Sequence, residues 1–106
     1  MISTIEQSLI KAQVEGAARS CFDPEIPVNI FELGLIYDIK PDEEGNVEVI
    51  MTLTSPSCPA AQSIPKELGD KISEIQGVKQ VVVHVVWEPP WSPAMMSEAA
   101  KLDLGF

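Results

Sequence analysis

The stretch VEVIMTLTSPSCP, residues 47–59, decides the fold. Apolar residues alternate with mostly polar ones as far as Leu53, which is the period of a half-buried β-strand. Prolines then enclose a short loop that contains Cys58, because proline suits neither a strand nor a helix interior. Apolar residues recur afterwards on one helical stripe, at Ile64, Leu68, Ile72 and Ile75. The stretch predicts a strand that passes through a cysteine-bearing loop into a helix.

Further strands and helices flank this unit. Residues 35–40 predict a strand, which the polar turn 41–46 joins to strand 47–53 as a hairpin. Residues 78–87 predict a third strand, and valines on both of its faces favour a central or doubly covered position. The predicted helices span 3–20, then from near Ile64 (or from Cys58 with a kink at Pro65) to Gly77, and finally from Pro93, capped by Ser92, to about Leu102.

Capping signals mark the ends of these elements. Ser3 and Glu6 have the spacing of a capping box at the start of the first helix. The apolar stripe of that helix places Cys21 inward at its end. Asn29 is suited to cap a single turn that ends at Gly34, where a left-handed conformation is favoured.

The element order α-β-β-α-β-α predicts an α/β fold of the α+β kind. We expect one compact domain over residues 1–106, with a small mixed three-stranded sheet covered by helices. A hairpin is followed by a crossover to a parallel strand. A chain of 106 residues is long enough for one hydrophobic core.

The net charge excludes several classes of partner. The chain has 16 acidic residues against 7 basic ones, a formal charge of −9. Such a chain repels phosphate backbones and anionic lipid headgroups, so we expect binding to neither nucleic acid nor membrane. The N-terminus lacks the pattern of a signal peptide, which predicts a cytoplasmic protein with reduced thiols.

Cys58 is the first candidate for chemistry. It is predicted to lie at or just before a helix N-terminus, where free N–H groups and the helix dipole stabilise an anion. These features lower the pKa of a thiol, and the thiolate is both a metal ligand and a nucleophile. The alternative is a cysteine that only packs under the loop.

Other polar residues offer weaker signals. Asp23 and Glu25 flank a proline and could bind a cation or exchange protons, or could simply cap a turn and face solvent. The hydroxyl of Thr54 could bond the loop backbone or the thiolate. Cys21 fits a buried small residue, and His84 fits a structural or surface position. We find no pattern for zinc or nucleotide binding.

The segment WEPPWSPAMMSE, residues 87–98, joins two tryptophans to a stiff proline-rich chain. Rigid aromatic side chains make low-entropy contacts with partners. We therefore predict a partner surface formed by Trp87, Pro90, Trp91, Met95 and Met96. A lid over the chain's own core is an equal alternative.

Three blocks together resemble the SufT and PaaD-like family, a metal–sulfur cluster assembly domain. They are DPEIPVNI with ELGLIY (residues 23–30 and 32–37), TSPSCP (54–59), and the segment 87–98 followed by Leu104 and Gly105. The last block resembles the SufT branch in particular. The resemblance implies a compact α/β fold, a role in maturing iron–sulfur proteins, and one cleft formed by Asp23, Glu25, Thr54 and Cys58.

The physics of clusters limits the mechanism. A stable cluster takes four ligands, mostly thiolates, and one chain offers two cysteines at most. We therefore expect no tightly bound cofactor in the isolated chain, and a transient iron–sulfur cluster that Cys58 shares with a client, a carrier or scaffold, or a second copy.

Four functions stay open at this stage. The first is an accessory factor in cluster assembly or transfer, and the second is a metal-free adaptor that docks through residues 87–96. The third, an enzyme with Cys58 as nucleophile, lacks a visible base, so we do not expect catalysis. The fourth is an accessory protein of a phenylacetate-type multicomponent oxygenase.

Overall fold

The computed structural model of the chain describes residues 3–22, 28–54 and 63–105. The elements are, in order, α1 (Thr4–Arg19), β1 (Ile36–Pro41), β2 (Asn46–Met51), α2 (Ser63–Ser73), β3 (Gln80–Val85), a 3₁₀ turn (Pro93–Met95) and α3 (Glu98–Leu104). The predicted order of helices and strands is confirmed. So is the α+β class with a small mixed sheet.

The sheet has the strand order β1-β2-β3. β1 and β2 form the predicted antiparallel hairpin, which is closed by a turn at Gly45 with φ of 88°. β2 and β3 are parallel, and their register runs without a shift from Asn46 opposite Gln80 to Met51 opposite Val85. The stretch that begins at Val47 therefore supplies the central strand.

The position predicted for the third strand is wrong, because β3 lies at an edge of the sheet. Its residues alternate between exposed and partly buried, and Val82 is 46% exposed. Val81 and Val83 face α2, whereas Val82 and His84 lie on the open face. Valine on both faces is typical of a covered strand, but it does not exclude an edge strand with one face in solvent.

Helix α1 follows from its cap and its apolar stripe. The Ser3 hydroxyl accepts a hydrogen bond from the Glu6 N–H at 3.1 Å, which satisfies one of the free donors of the first turn. Ile10, Val14 and Ala18 are buried, and Cys21 follows them inward as predicted. The helix packs against β1 and α2.

The turn between α1 and β1 has the predicted capping. The Glu32 N–H donates to the Asn29 side-chain oxygen at 2.9 Å. Gly34 adopts φ of 82°, in the left-handed region. A Cβ at Gly34 would collide with the carbonyl of Met95. Glycine is therefore required here by both conformation and space.

Helix α2 covers the sheet with Ile64, Leu68 and Ile72. Its described part begins at Ser63, and Pro65 is the third residue of that part. The alternative start at Cys58 lies outside the described residues. The helix ends at Ser73, earlier than predicted, and the chain turns through Gly77, whose φ is 94°.

The C-terminal region differs from the single helix predicted from Pro93. A 3₁₀ turn comes first, and Ser92 makes no capping hydrogen bond. Helix α3 begins at Glu98, where the Ser97 hydroxyl accepts from the Ala100 N–H at 3.1 Å. The Ser97 N–H donates to the Glu32 carbonyl at 2.8 Å, and this tertiary contact sets where the new helix starts.

No helix within the described residues is long and apolar enough to cross a membrane.

Candidate functional site

Three of the four predicted cleft residues, Asp23, Glu25 and Cys58, lie outside the described residues. Thr54 is described, and it lies just beyond the end of β2, partly buried. The geometry of the site is therefore given by the residues that flank segments 23–27 and 55–62.

The residues on either side of segment 23–27 pair with each other. Phe22 and Asn29 form an isolated antiparallel bridge, and the Ile30 N–H donates to the Cys21 carbonyl at 2.8 Å. Val28 and Ile30 are buried on the outgoing side. This pairing holds the two flanks of the acidic segment next to each other at the end of α1.

Segment 55–62 leaves from the carboxyl end of the central strand. Beyond β2 the chain stays hydrogen-bonded to the strand before it, since the Thr52 N–H donates to the Leu35 carbonyl at 2.8 Å. In open α/β sheets the carboxyl ends of parallel strands are where ligands bind. Trp87, which is 42% exposed, follows the carboxyl end of the neighbouring strand β3.

The helical flanks of the two segments adjoin. The Lys71 ammonium donates to the Ser20 carbonyl at 3.0 Å and to the Ser20 hydroxyl at 2.8 Å, which joins α2 to the end of α1. The Glu67 carboxylate lies close enough to influence the thiol of Cys21. The end of α1 therefore contacts α2 at Lys71 and lies near Glu67.

Cys21 is sealed in the core. Its side chain is fully buried, and Sγ donates to the Ala17 carbonyl at 3.5 Å. Burial raises the pKa of the Cys21 thiol to about 11; Glu67 adds to this rise, and Lys71 opposes it. A neutral, inaccessible thiol is neither a nucleophile nor an available metal ligand. The interpretation of Cys21 as a small buried residue is confirmed.

His84 lies on the exposed face of the sheet. Its Nε2 is 3.1 Å from a carboxylate oxygen of Glu48, and both side chains are about half exposed. This matches the predicted surface position. Within the described ranges, no three histidine, cysteine or acidic residues are grouped so as to hold a metal ion.

The tail, residues 86–97, folds back onto the start of β1. The Trp91 Nε1–H donates to the Leu33 carbonyl at 2.7 Å, and the Tyr37 hydroxyl donates to the Pro89 carbonyl at 2.7 Å. The Glu88–Pro89 peptide bond is cis. Met95 lies 3.6 Å from the Tyr37 hydroxyl through its sulfur.

These contacts correct the predicted partner surface. Met96 is only 6% exposed and belongs to the core, and Trp91 packs against that core. Both were predicted to face a partner, but burying their apolar area against the chain itself is the more favourable state. Trp87 and Pro90 remain exposed. The alternative of a lid is thus confirmed for part of the segment.

Sequence reasoning missed Thr52. It is fully buried, and its hydroxyl has no hydrogen-bond partner among the residues that the structure describes. The alternation predicted for strand 47–53 had placed it on the polar face. Tyr37 and Leu33 were also missed as anchors of the tail, because no local pattern joins residues so far apart in the chain.

Comparison with known proteins defines the class. The model of the iron–sulfur cluster assembly protein family matches residues 11–85, a span that includes both flanked segments. The chain therefore belongs to the iron–sulfur cluster assembly protein family.

Individual relatives agree with this assignment. The chain is 49% identical over 88 residues to an Fe-S protein maturation auxiliary factor of Porphyromonas gingivalis, a match that covers 83% of this chain and 84% of that protein. It is 41% identical over 99 residues to the Fe-S protein maturation auxiliary factor YitW of Bacillus subtilis, covering 93% and 97%.

A solved structure shares the whole fold. A domain of unknown function from Bacillus anthracis superposes with a TM-score of 0.90 at 36% sequence identity, and the match covers 98% of this chain and 99% of that one. The predicted family resemblance and the fold are thereby both confirmed.

Proposed function

We propose that this chain is an accessory factor in the assembly or transfer of iron–sulfur clusters, and that Cys58 is the sulfur through which it acts. Membership of the cluster assembly family supports the first half. Relatives that match over most of their length are named as maturation auxiliary factors, a name that describes assistance and no catalysed reaction.

The observation that carries the second half is the burial of Cys21. The chain has two cysteines. One is sealed in the core, with its thiol held neutral at physiological pH. A cysteine binds iron as a thiolate, and only where the metal can reach its sulfur. The remaining sulfur is Cys58.

One thiolate per chain makes the cluster cargo and not a resident group. Clusters in proteins are held by four ligands, mostly cysteine thiolates. A chain that offers one must share the cluster with a client, a carrier or scaffold protein, or a second copy of itself. Incomplete ligation favours release, which suits delivery to a client.

The acidic segment has a supporting role in this proposal. Asp23 and Glu25 belong to a segment flanked by the Phe22–Asn29 bridge at the end of α1, and Thr54 precedes Cys58 just beyond the central strand. Carboxylates near such a site can hold an incoming iron ion or a basic client surface. We place this activity in the cytoplasm, where thiols stay reduced.

Anaerobic reconstitution with iron and sulfide tests the proposal. We expect the wild type, mixed with an apo-client enzyme, to raise the rate of client activation, and Cys58→Ser to lose that effect. Cys21→Ala is the matched control, because it removes the sulfur that the structure seals away, and it should activate the client like the wild type.

Two outcomes would contradict the proposal. Full client activation by Cys58→Ser would show a metal-free adaptor instead. Loss of activation in a folded Cys21→Ala variant would show that the buried thiol takes part. Iron and sulfide content and the visible absorption of each mixture are measured alongside activity.

A further inference from the structure

The two edges of the sheet differ in what protects them from pairing with another chain. β1 has a register shift between Ile36 and Asp38, carries charge at Asp38 and Lys40, and ends at Pro41. Bulges, charges and proline are the devices that keep an edge from pairing. β3 pairs with β2 in unbroken register, and its sequence QVVVHV contains no proline, lysine or acidic residue.

The outer side of β3 presents backbone groups in a regular pattern. Beyond β3, the Val86 N–H donates to the Met51 carbonyl at 2.8 Å and so points toward β2. Successive residues of a strand direct their N–H and C=O groups to opposite sides. Alternate residues therefore present theirs at the outer edge: Val81, Val83 and Val85. No strand pairs with this edge within the described ranges.

A groove lies beside the same edge. Val81 and Val83 form one wall, and the other wall belongs to α2, with Lys66, Gly69 and Asp70. The open volume is about 430 Å³. Gly69 leaves space there, since a Cβ on it would be 3.7 Å from the nearest Val83 methyl group. An added strand could place every second side chain in this groove.

The charge around the edge selects the occupant. The acidic turn 42–44 lies next to the start of β3, since the Lys79 N–H donates to the Gly45 carbonyl at 2.7 Å. Lys79 adjoins this turn, Lys40 lies 3.9 Å from a Glu48 carboxylate oxygen, and Lys66 pairs with Asp70 in the groove. The negative excess therefore comes from the acidic turn and from the total charge of −9. A cationic segment is attracted to this surface, whereas a second copy brings the same negative charge.

We propose that the outer edge of β3 binds an extended, positively charged segment of a partner protein, which joins the sheet as a fourth strand. Its backbone would bond to Val81, Val83 and Val85, and its alternate apolar side chains would enter the groove beside α2. Strand addition takes its affinity from the main chain and its specificity from alternate side chains. This interaction goes beyond the cluster chemistry and does not require Cys58.

A synthetic peptide of about eight residues, alternating valine and lysine, is the probe. Hydrogen exchange followed by NMR reads the binding site at each amide of the full-length chain. We expect the peptide to slow exchange at Val81, Val83 and Val85 and to leave Val82 and His84 unchanged, because those two amides already bond to β2. A matched peptide, N-methylated on its protein-facing amides, should bind about tenfold or more weakly.

A protein variant tests the same edge from the other side. Val83→Pro removes one outward N–H, and proline is tolerated on an edge strand where the N–H faces away from the sheet. We expect about tenfold weaker peptide binding, with Val83→Thr as the control that keeps the amide. If Val83→Pro does not fold, the N-methylated peptide still decides the question.

Four results would overturn the proposal. Protection without the odd–even alternation would place the peptide elsewhere. If the N-methylated peptide bound as tightly as the valine–lysine peptide, strand addition would be wrong. If a valine–glutamate peptide bound as tightly, the preference for positive charge would be wrong. Protection of Val81, Val83 and Val85 in the protein alone, with a dimer in sedimentation, would make the occupant a second copy. Cys58→Ser should bind the probe like the wild type, so a failure here is distinct from a failure of the cluster proposal.

Discussion

The edges formed by β1 and β3 belong to one small sheet, yet the rest of the chain treats them differently. The tail leaves β3 and crosses to the start of β1. There the Tyr37 hydroxyl donates to the Pro89 carbonyl of the tail, and Trp91 of the tail donates to the Leu33 carbonyl. β1 is thus bulged and charged and contacts the tail at its start, whereas β3 has an unbroken register and an uncharged sequence apart from His84. The comparison teaches that a three-stranded sheet of this size can protect one edge with a bulge, charges and a proline and leave the other edge available for pairing.

The largest expected loss of stability comes from a proline in β3, at a residue whose N–H faces β2. Val82→Pro removes an N–H that faces β2, and we expect it to lower the free energy of unfolding by roughly 3 kcal/mol. Val83→Pro removes an outward N–H and should cost about 1 kcal/mol. Urea unfolding of both variants measures the difference. Equal losses would mean that the two residues do not alternate as the hydrogen bond of Val86 indicates.

A further variant disturbs the contact between the tail and the turn that precedes β1. Gly34→Ala adds a Cβ that meets the Met95 carbonyl, at a φ of 82° that side chains disfavour. We expect a loss of about 2 kcal/mol, from the strained conformation and the displaced tail. Thermal unfolding measures it. Gly16→Ala, where a Cβ meets nothing within 4 Å, is the control and should stabilise the helix. A neutral Gly34→Ala would show that the tail does not press on this turn.

A smaller effect is expected from the hydrogen bond that anchors the tail. Trp91→Phe removes the Nε1–H that donates to the Leu33 carbonyl while keeping an aromatic ring. The expected loss of stability is about 1 kcal/mol, the usual net value of such a bond. Tyr37→Phe removes the more exposed bond to Pro89 and should cost less. Reversal of this order in urea unfolding would mean that Tyr37 is the main anchor of the tail.

The smallest effect concerns the groove beside β3. Gly69→Ala replaces a glycine inside α2, and the new methyl group would sit at an ordinary contact distance of 3.7 Å from Val83. We expect a gain of about 0.5–1 kcal/mol from helix propensity. The same methyl group narrows the groove and should weaken binding of the valine–lysine peptide a few-fold. A destabilised Gly69→Ala variant would show that the space between Gly69 and Val83 is too small for a methyl group.

Elements with a local signal were predicted well. The capped start of α1, the Asn29 turn and the hairpin rest on side-chain contacts within a few residues or on a period that one strand displays by itself. The inward position of Cys21 followed from the same helical period. The cleft of Asp23, Glu25, Thr54 and Cys58 stays a prediction, since only Thr54 lies among the described residues.

Elements whose position depends on distant residues were predicted less well. The place of β3 at an edge depends on which strands pair, and its valines fit either position. The start of α3 at Ser97 in place of Ser92 depends on a hydrogen bond to Glu32. The burial of Met96, predicted on a partner surface, depends on where the tail lands.

The sequence by itself determined the kinds of element, their order, the inward thiol and the family resemblance, because each rests on spacing along the chain. Only the tertiary structure decided that β3 is an edge strand and which of the tail side chains are buried. Those outcomes depend on contacts between segments that are far apart in sequence, where the gain from burying apolar surface and pairing backbone groups is collective.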